Sequence, residues 1–309
     1  MKKIKIGTRG SKLALWQAEY IADLLREGGV DSEIVKITTK GDKILNVSIA
    51  KIGSKGVFTE EIEEQLASGA IDIAVHSAKD MQSELDPGFQ LVAFTEREIV
   101  NDVLVGFKPV DIEQSDKKVV IGTSSTRRIA TLKHFYPRVE TREVRGNLQT
   151  RIRKLEEGQY DALMLAYAGV KRMGYESMIV KKFAEDQFIP AVGQGSVAVE
   201  IHDRLPSDTV DKLRELLNHS ETESCLLAER AYLRRLQGGC SIPVFARAQL
   251  KDGQLALHGG IVSLDGQERL VFSEHGSASE AEQLGQQLAE KVLGEGGDSI
   301  LAAIRKEIG

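Results

Sequence analysis

The sequence predicts an α/β protein: two lobes built on mainly parallel sheets, followed by a small C-terminal α+β domain. Three observations predict it. Helical stretches repeatedly lead into short apolar strands, the pattern of right-handed crossover units. A strand, a Gly-Thr turn and a helix occur twice, at residues 3–25 and 119–135. After residue 218 the style changes to strand-like runs broken by Asp-Gly pairs, which are hairpin signals.

Taken in order, KIKIGTRGSKLALWQAEYIADLL reads as a strand, a turn and an amphipathic helix with Ser11 as N-cap candidate. KGVFTEEIEEQLASGAIDIAVHS is a helix and then a buried strand, which ends abruptly in His76, Ser77, Lys79 and Asp80. A first link between lobes is expected near residues 96–101. VVIGTSSTRRIATLKHF repeats the opening plan with Ser125 at the helix start beside Arg127 and Arg128. Both helix starts offer free N–H groups and a dipole receptive to anions. TREVRGNLQTRIRKLEEGQYDALMLAYAGVKRMG gives a helix and the strand DALMLAYAG; FIPAVGQGSVAVEI, with Gly193 and Gly195, reads as the crossing back. Two crossings imply a hinged clamp around a shared cleft. The last part holds hairpins at Asp252-Gly253 and Asp265-Gly266, then two helices. The expected domains are 1–97 with 196–216, 98–195, and 217–309.

The chain has 309 residues, 41% hydrophobic and 28% charged, with a net charge of −5. No run approaches the ~20 apolar residues of a membrane span, and the start lacks a signal-peptide pattern. A soluble cytoplasmic protein is expected. Arginines nevertheless crowd at Arg127, Arg128, Arg142, Arg145, Arg151 and Arg153. Without a basic domain or docking motif this excludes a nucleic-acid binder and favours a small polyanionic ligand, which guanidiniums grip two bonds at a time. Cys225 lies within a helical pattern and reads as core filler; Cys240 follows two glycines on a loop. No Cys/His cluster has metal-ligand spacing, and no nucleotide-binding glycine loop is evident.

The stretches IGTRGSKLALWQA, KGVFTEEIE, DIAVHSAKD, VIGTSSTRR, REVRGNLQTRIRKL, AYAGVKRMG, IPAVGQGS, LNHSETESCLLAERA and LQGGCSIP together resemble porphobilinogen deaminase, or hydroxymethylbilane synthase, over nearly the whole chain. The resemblance implies two lobes like type II periplasmic binding proteins and a third domain carrying the cofactor. It implies a monomeric transferase of tetrapyrrole (haem) biosynthesis. Four porphobilinogen molecules would be joined head to tail, with loss of ammonia, onto a dipyrromethane held by a thioether to Cys240. Water would release hydroxymethylbilane, for passage to uroporphyrinogen III synthase.

By the same resemblance Asp80 is the catalytic group, stabilising the cationic azafulvene formed when ammonia leaves. Ser77, Lys79, Asp80, Thr123, Ser124, Ser125, Arg127, Arg128, Arg151 and Gly169 would bind the cofactor. Arg9, Ser11, Gln17, Arg145, Arg151, Arg172 and Gln194 would contact substrate or the growing chain. Phe58 could pack near the cofactor rings, and His76 is expected to be structural. Departures from the family pattern are Met81-Gln82, Asn101, Thr126 and Ser196.

Two rival readings use the same residues. A solute-binding protein on the same two lobes would bind a polyanion without chemistry, since a fold hosts many functions; it needs neither Asp80 nor Cys240. A cysteine acyl transferase or hydrolase would need a base beside Cys240, and the six histidines form no catalytic signature.

Overall fold

The structure is a computed structural model, and it describes residues 2–43, 59–113, 118–239 and 241–308. Its backbone contacts divide the chain into two units, residues 1–98 with 195–224, and residues 99–194 with 225–309.

The first unit is built on a five-stranded sheet of order β2-β1-β3-β10-β4. The strands are β1 (Ile4–Arg9), β2 (Ser32–Ile37), β3 (Ile73–Ser77), β4 (Phe89–Phe94) and β10 (Val197–His202). β1 pairs in parallel with β2 and β3, whereas β10 runs antiparallel to both β3 and β4. Four strands therefore share one direction, and the fifth is the strand that returns from the second unit. The helix Lys12–Glu27 begins where Ser11 accepts from Ala14 N, and it ends at Gly28. Its Gln17, Ala18, Ile21 and Leu25 are buried, the i, i+3/i+4 spacing of a helix with one apolar face. Ala18, Ile21 and Leu25 pack with Ile4, Ile6, Ile73 and Val199 of the sheet. The helix Glu60–Ser68 stops at Gly69, whose φ of 78° is left-handed, the usual glycine termination.

The second unit begins with an equivalent sheet, order β7-β6-β8-β5-β9. Its strands are β5 (Asp102–Val105), β6 (Val120–Gly122), β7 (Glu140–Arg142), β8 (Ala162–Ala166) and β9 (Ile179–Lys182). β6 is parallel to β7 and β8, and β5 is antiparallel to β8 and β9. Here too the reversed strand is the one that enters from the other unit. The repeated strand–Gly-Thr–helix read in the sequence is thus the same position of two sheets with one topology. This bears out the expected pair of α/β lobes and adds that each sheet holds one reversed strand.

The two chain crossings run side by side within the first unit. Glu98 N donates to Gly195 O at 3.2 Å and Ser196 Oγ donates to Thr95 O at 3.0 Å. Gly195 has a φ of +99°, and a Cβ there would lie 2.6 Å from Glu98 O, so only glycine fits. The departure at Ser196 supplies a bond that an alanine could not make. Asn101 is buried and donates to Phe183 O at 2.8 Å. Met81 is buried as well, and Gln82 reaches Thr59 Oγ1 at 3.3 Å.

The rest of the second unit is the α+β portion. β11 (Val244–Lys251), β12 (Gln254–Val262) and β13 (Arg269–Ser277) form an antiparallel sheet. Asp252 and Gly253 both have positive φ, 51° and 77°, as a two-residue primed turn requires. The helices Ser220–Arg235, Ala281–Val292 and Asp298–Ile308 cover it. Cys225 is a free buried thiol in that core, as its helical context suggested. A smaller cluster of Ala130, Ile189, Phe245 and Val262 joins this sheet to the 126–135 helix.

Candidate functional site

In the first unit, β3 ends in a single 3-10 turn, Ala78–Asp80. The strand buries Ile73 to His76, the turn buries Ala78, and Asp80 emerges exposed. The character change in DIAVHSAKD is therefore the end of a central strand opening onto a concavity. Arg9, Ser11, Gln17, His76, Ser77 and Asp80 line it. Arg9 closes β1, Ser11 caps the first helix, and Gln17 lies one turn inside that helix. Gln17 Nε2 donates to Ser77 Oγ at 2.8 Å, which fixes the strand end against the helix. Five of the residues expected at the site thus meet here: a carboxylate, a guanidinium and three neutral polar groups. Lys79 is half-buried on the same turn.

In the second unit Ser125 caps the helix Thr126–Phe135 through Arg128 N. Thr123 is buried, and its Oγ1 accepts from Ser125 N at 3.3 Å. Ser124 Oγ donates to Val144 O at 2.7 Å and accepts from Val144 N at 3.1 Å, so this hydroxyl braces the neighbouring loop. Arg127 and Arg128 are buried, only 5% and 7% exposed, and both converge on Asp102. Arg128 Nε and Nη2 reach Asp102 Oδ1 at 3.1 and 2.8 Å, while Nη1 donates to Met164 O at 3.0 Å. Arg127 Nη2 lies 2.7 Å from Asp102 Oδ2, and Nη1 donates to Ile189 O at 3.0 Å. Gln194, also buried, donates to Asp102 Oδ1 at 3.0 Å and to Val100 O at 2.6 Å.

Burial pushes the Asp102 carboxyl up, but the Arg127 and Arg128 charges, with hydrogen bonds from Arg128 and Gln194, outweigh it and hold the group well below the carboxylate range. Burial pulls the Arg127 guanidinium down, Asp102 opposes this, and Arg128 adds to it. Two buried guanidiniums face one carboxylate, so one positive charge is in excess. Arg127 Nε is buried with no hydrogen-bond partner among the described residues. A buried donor left open beside surplus positive charge suits an anionic ligand, so these residues fit a group bearing carboxylates.

The remaining expected residues are more dispersed. Arg145 pairs with Glu143 at 2.6 Å. Arg151 Nε donates to Gly146 O at 2.8 Å. Gly169 and Arg172 lie in the short helix Tyr167–Arg172. Cys240 and Phe58 lie outside the described residues. A helix and a strand flank Cys240 as expected, but the Ser220–Arg235 helix is followed by a left-handed Gln237, at a φ of 50°, where a glycine termination was expected; β11 begins at Val244.

Sequence reading missed Asp102, Glu200 and Glu229. Each had a signal: an acid at the edge of, or inside, an apolar run, as in NDVLV, VAVEI and LLAERA. A carboxylate carried into a core must bring a partner with it. Glu229, fully buried, accepts from Gly193 N at 2.9 Å and Ala248 N at 2.8 Å. Among the described residues no group of acids, histidines and cysteines could hold a metal ion, and no helix is long and apolar enough to cross a membrane.

Comparison with known proteins shows the family. The family model "Porphobilinogen deaminase, dipyromethane cofactor binding domain" matches residues 4–208, and "Porphobilinogen deaminase, C-terminal domain" matches residues 223–294. Porphobilinogen deaminase of Cytophaga hutchinsonii is 55% identical, covering 99% of this chain and 98% of the relative. That of Desulfosudis oleivorans is 53% identical, covering 99% of each. Among solved structures, the methionine binding protein MetQ aligns with 69% of this chain and 89% of its own at 12% identity and a TM-score of 0.45, a likeness too slight to carry weight. The matches span both lobes and the C-terminal portion: the chain belongs to the porphobilinogen deaminase family.

Proposed function

We propose that this chain joins four porphobilinogen molecules head to tail, releasing ammonia at each addition and finally hydroxymethylbilane. The observation that carries this reading is the concavity at the end of β3, where Asp80 stands exposed beside Arg9, Ser11 and Gln17. When bound, the dipyrromethane supplies the free pyrrole α-carbon from which the chain starts.

Loss of ammonia leaves the substrate as an azafulvenium cation. Asp80, fixed on a tight turn, offers negative charge where that positive charge develops. The same carboxylate favours the cation again when water releases the product. Lys79 cannot take this role, because its charge has the wrong sign. Arg9 and the Ser11 hydroxyl bind the acetate and propionate of the arriving molecule.

Arg127 and Arg128 hold the cofactor's carboxylates, with Arg127 offering its open Nε and Arg128 mostly engaged in the protein. Thr123, Ser124 and Ser125 shape the turn that presents them. Arg145, Arg151 and Arg172 bind later carboxylates of the chain. Cys240 is the attachment point, its thiolate adding to an azafulvenium-type carbon to make a thioether. The chain acts as a monomer in the cytoplasm and hands its product to uroporphyrinogen III synthase.

The test is the denatured intact mass of purified protein, with Cys240→Ser alongside. The expected result is an excess of two condensed pyrrole units in the parent chain and none in the variant. Absence of the excess even after incubation with porphobilinogen would overturn the reading and favour a binding protein without chemistry.

A further inference from the structure

β10 carries one acid in an apolar run, Glu200 of VAVEIH. Its side chain is fully buried; His76 Nε2 lies 3.0 Å from Oε2, and Oε1 has no hydrogen-bond partner among the described residues. The pairing follows from register. His76 is opposite Ala198 and Ala74 opposite Glu200, so His76 and Glu200 are diagonal neighbours on one face of the sheet. Glu63, from the Glu60–Ser68 helix, is buried on the same side. Burial and then the Glu200 charge push its carboxyl up, Thr59 and His76 oppose this, and Asp86 adds to it.

Stability does not call for this arrangement. A carboxylate carried into a core costs desolvation that an apolar residue does not, and an acceptor left open carries a further cost. Yet His76 also lines the concavity that holds Asp80. One ring nitrogen is therefore committed to a buried carboxylate, while the residue borders the site of chemistry. An acceptor at Nε2 favours the tautomer with its proton there, leaving Nδ1 as the basic nitrogen. That is how a base is oriented by a third group.

We propose that His76, oriented by Glu200, is the base that takes the α-proton at each condensation. The methylene carbon of the substrate-derived azafulvenium bonds to the free α-carbon of the growing chain. The α C–H bond then breaks, its electron pair restores the pyrrole, and the proton passes to His76 Nδ1. Ammonia released in the same cycle carries it off as ammonium. With His76 as the base, Asp80 keeps its negative charge throughout the cycle. Among the described residues, the charged groups facing His76 or the concavity it borders are Glu200 from β10, Glu63 from the 60–68 helix, Asp80 from the turn after β3 and Arg9 from the end of β1. This inference rests on the reaction proposed above.

The test uses full-length His76→Gln and Glu200→Gln proteins shown by mass to carry the cofactor. Porphobilinogen bearing hydrogen or deuterium at its free α-carbon is the substrate. Turnover of H76Q should fall roughly 10²–10⁴-fold, the range for loss of a general base. A primary isotope effect larger than that of the parent should appear, and added imidazole should restore part of the rate. E200Q should show a smaller loss and the same isotope effect. Separately from turnover, 15N NMR of the parent protein should find His76 protonated at Nε2 and bare at Nδ1, a preference lost in E200Q. Parent-like turnover of H76Q, slow variants without the isotope effect, or a parent ring protonated at Nδ1 would each overturn the proposal. Should H76Q fail to fold, the E200Q rates and the NMR decide it. A parent protein that makes no hydroxymethylbilane would instead sink the reaction itself, and the NMR comparison would still stand.

Discussion

Arg128 grips a single oxygen of Asp102 with two of its nitrogens, Nε at 3.1 Å and Nη2 at 2.8 Å. Asp102 heads β5 and is fully buried, so this contact ties the Thr126–Phe135 helix to the reversed strand of its sheet. Asp102→Ala leaves two guanidiniums buried without their counter-charge. Removing one partner of a buried pair costs about 3–5 kcal/mol, and urea unfolding of the variant is expected to show a loss of that size.

The same carboxylate makes stability depend on acid. Its folded pKa is depressed, so its contribution is complete above the unfolded value of about 3.9 and is lost as pH falls from there towards the folded one. Unfolding free energy of the parent chain should decline steeply below about pH 4. The decline should be shallower in Asp102→Asn, which cannot take up the proton. Equal slopes for the two proteins would show that other carboxylates dominate.

Asp80 is exposed on a short turn and holds no part of the core. Asp80→Ala should therefore fold with an unchanged melting temperature and still carry the mass excess on Cys240. Its turnover should drop by roughly 10²–10³-fold, the effect of losing one preorganised charge at a transition state. Steady-state rates and intact mass measured on one sample separate the two properties.

Arg127→Lys keeps the positive charge beside Asp102 but loses the buried Nε, which has no partner among the described residues. The variant should fold yet take up the dipyrromethane more slowly and less completely, read as the fraction of protein with the mass excess over time. Arg128→Lys loses contacts to Asp102 and Met164 instead, so its main deficit should be stability.

Glu229 joins the Gly193 turn to β11 through two backbone N–H groups. Glutamine at this position presents one donor where an acceptor is needed, leaving a buried N–H unsatisfied. The cost should be about 1–3 kcal/mol, detectable as a lower urea midpoint with an unchanged slope.

The sequence by itself determined the local plan. Ser11 and Ser125 cap their helices, Asp252-Gly253 turns its hairpin, and the apolar strands fall where helix–strand alternation put them. These features depend on residues close together in the chain, so propensity and spacing suffice to read them. The motifs around Asp80 and Arg127 were legible for the same reason, each lying within a few consecutive residues. Tertiary structure alone decided which strand of each sheet is reversed and what the buried acids meet. Asp102 is 26 residues from Arg128 and Glu200 is 124 from His76. A carboxylate inside an apolar run announces a partner because burial demands one, but only the folding of distant segments onto one another shows which group answers. By that route a histidine that looked structural in the sequence comes to lie between the concavity of Asp80 and a buried glutamate.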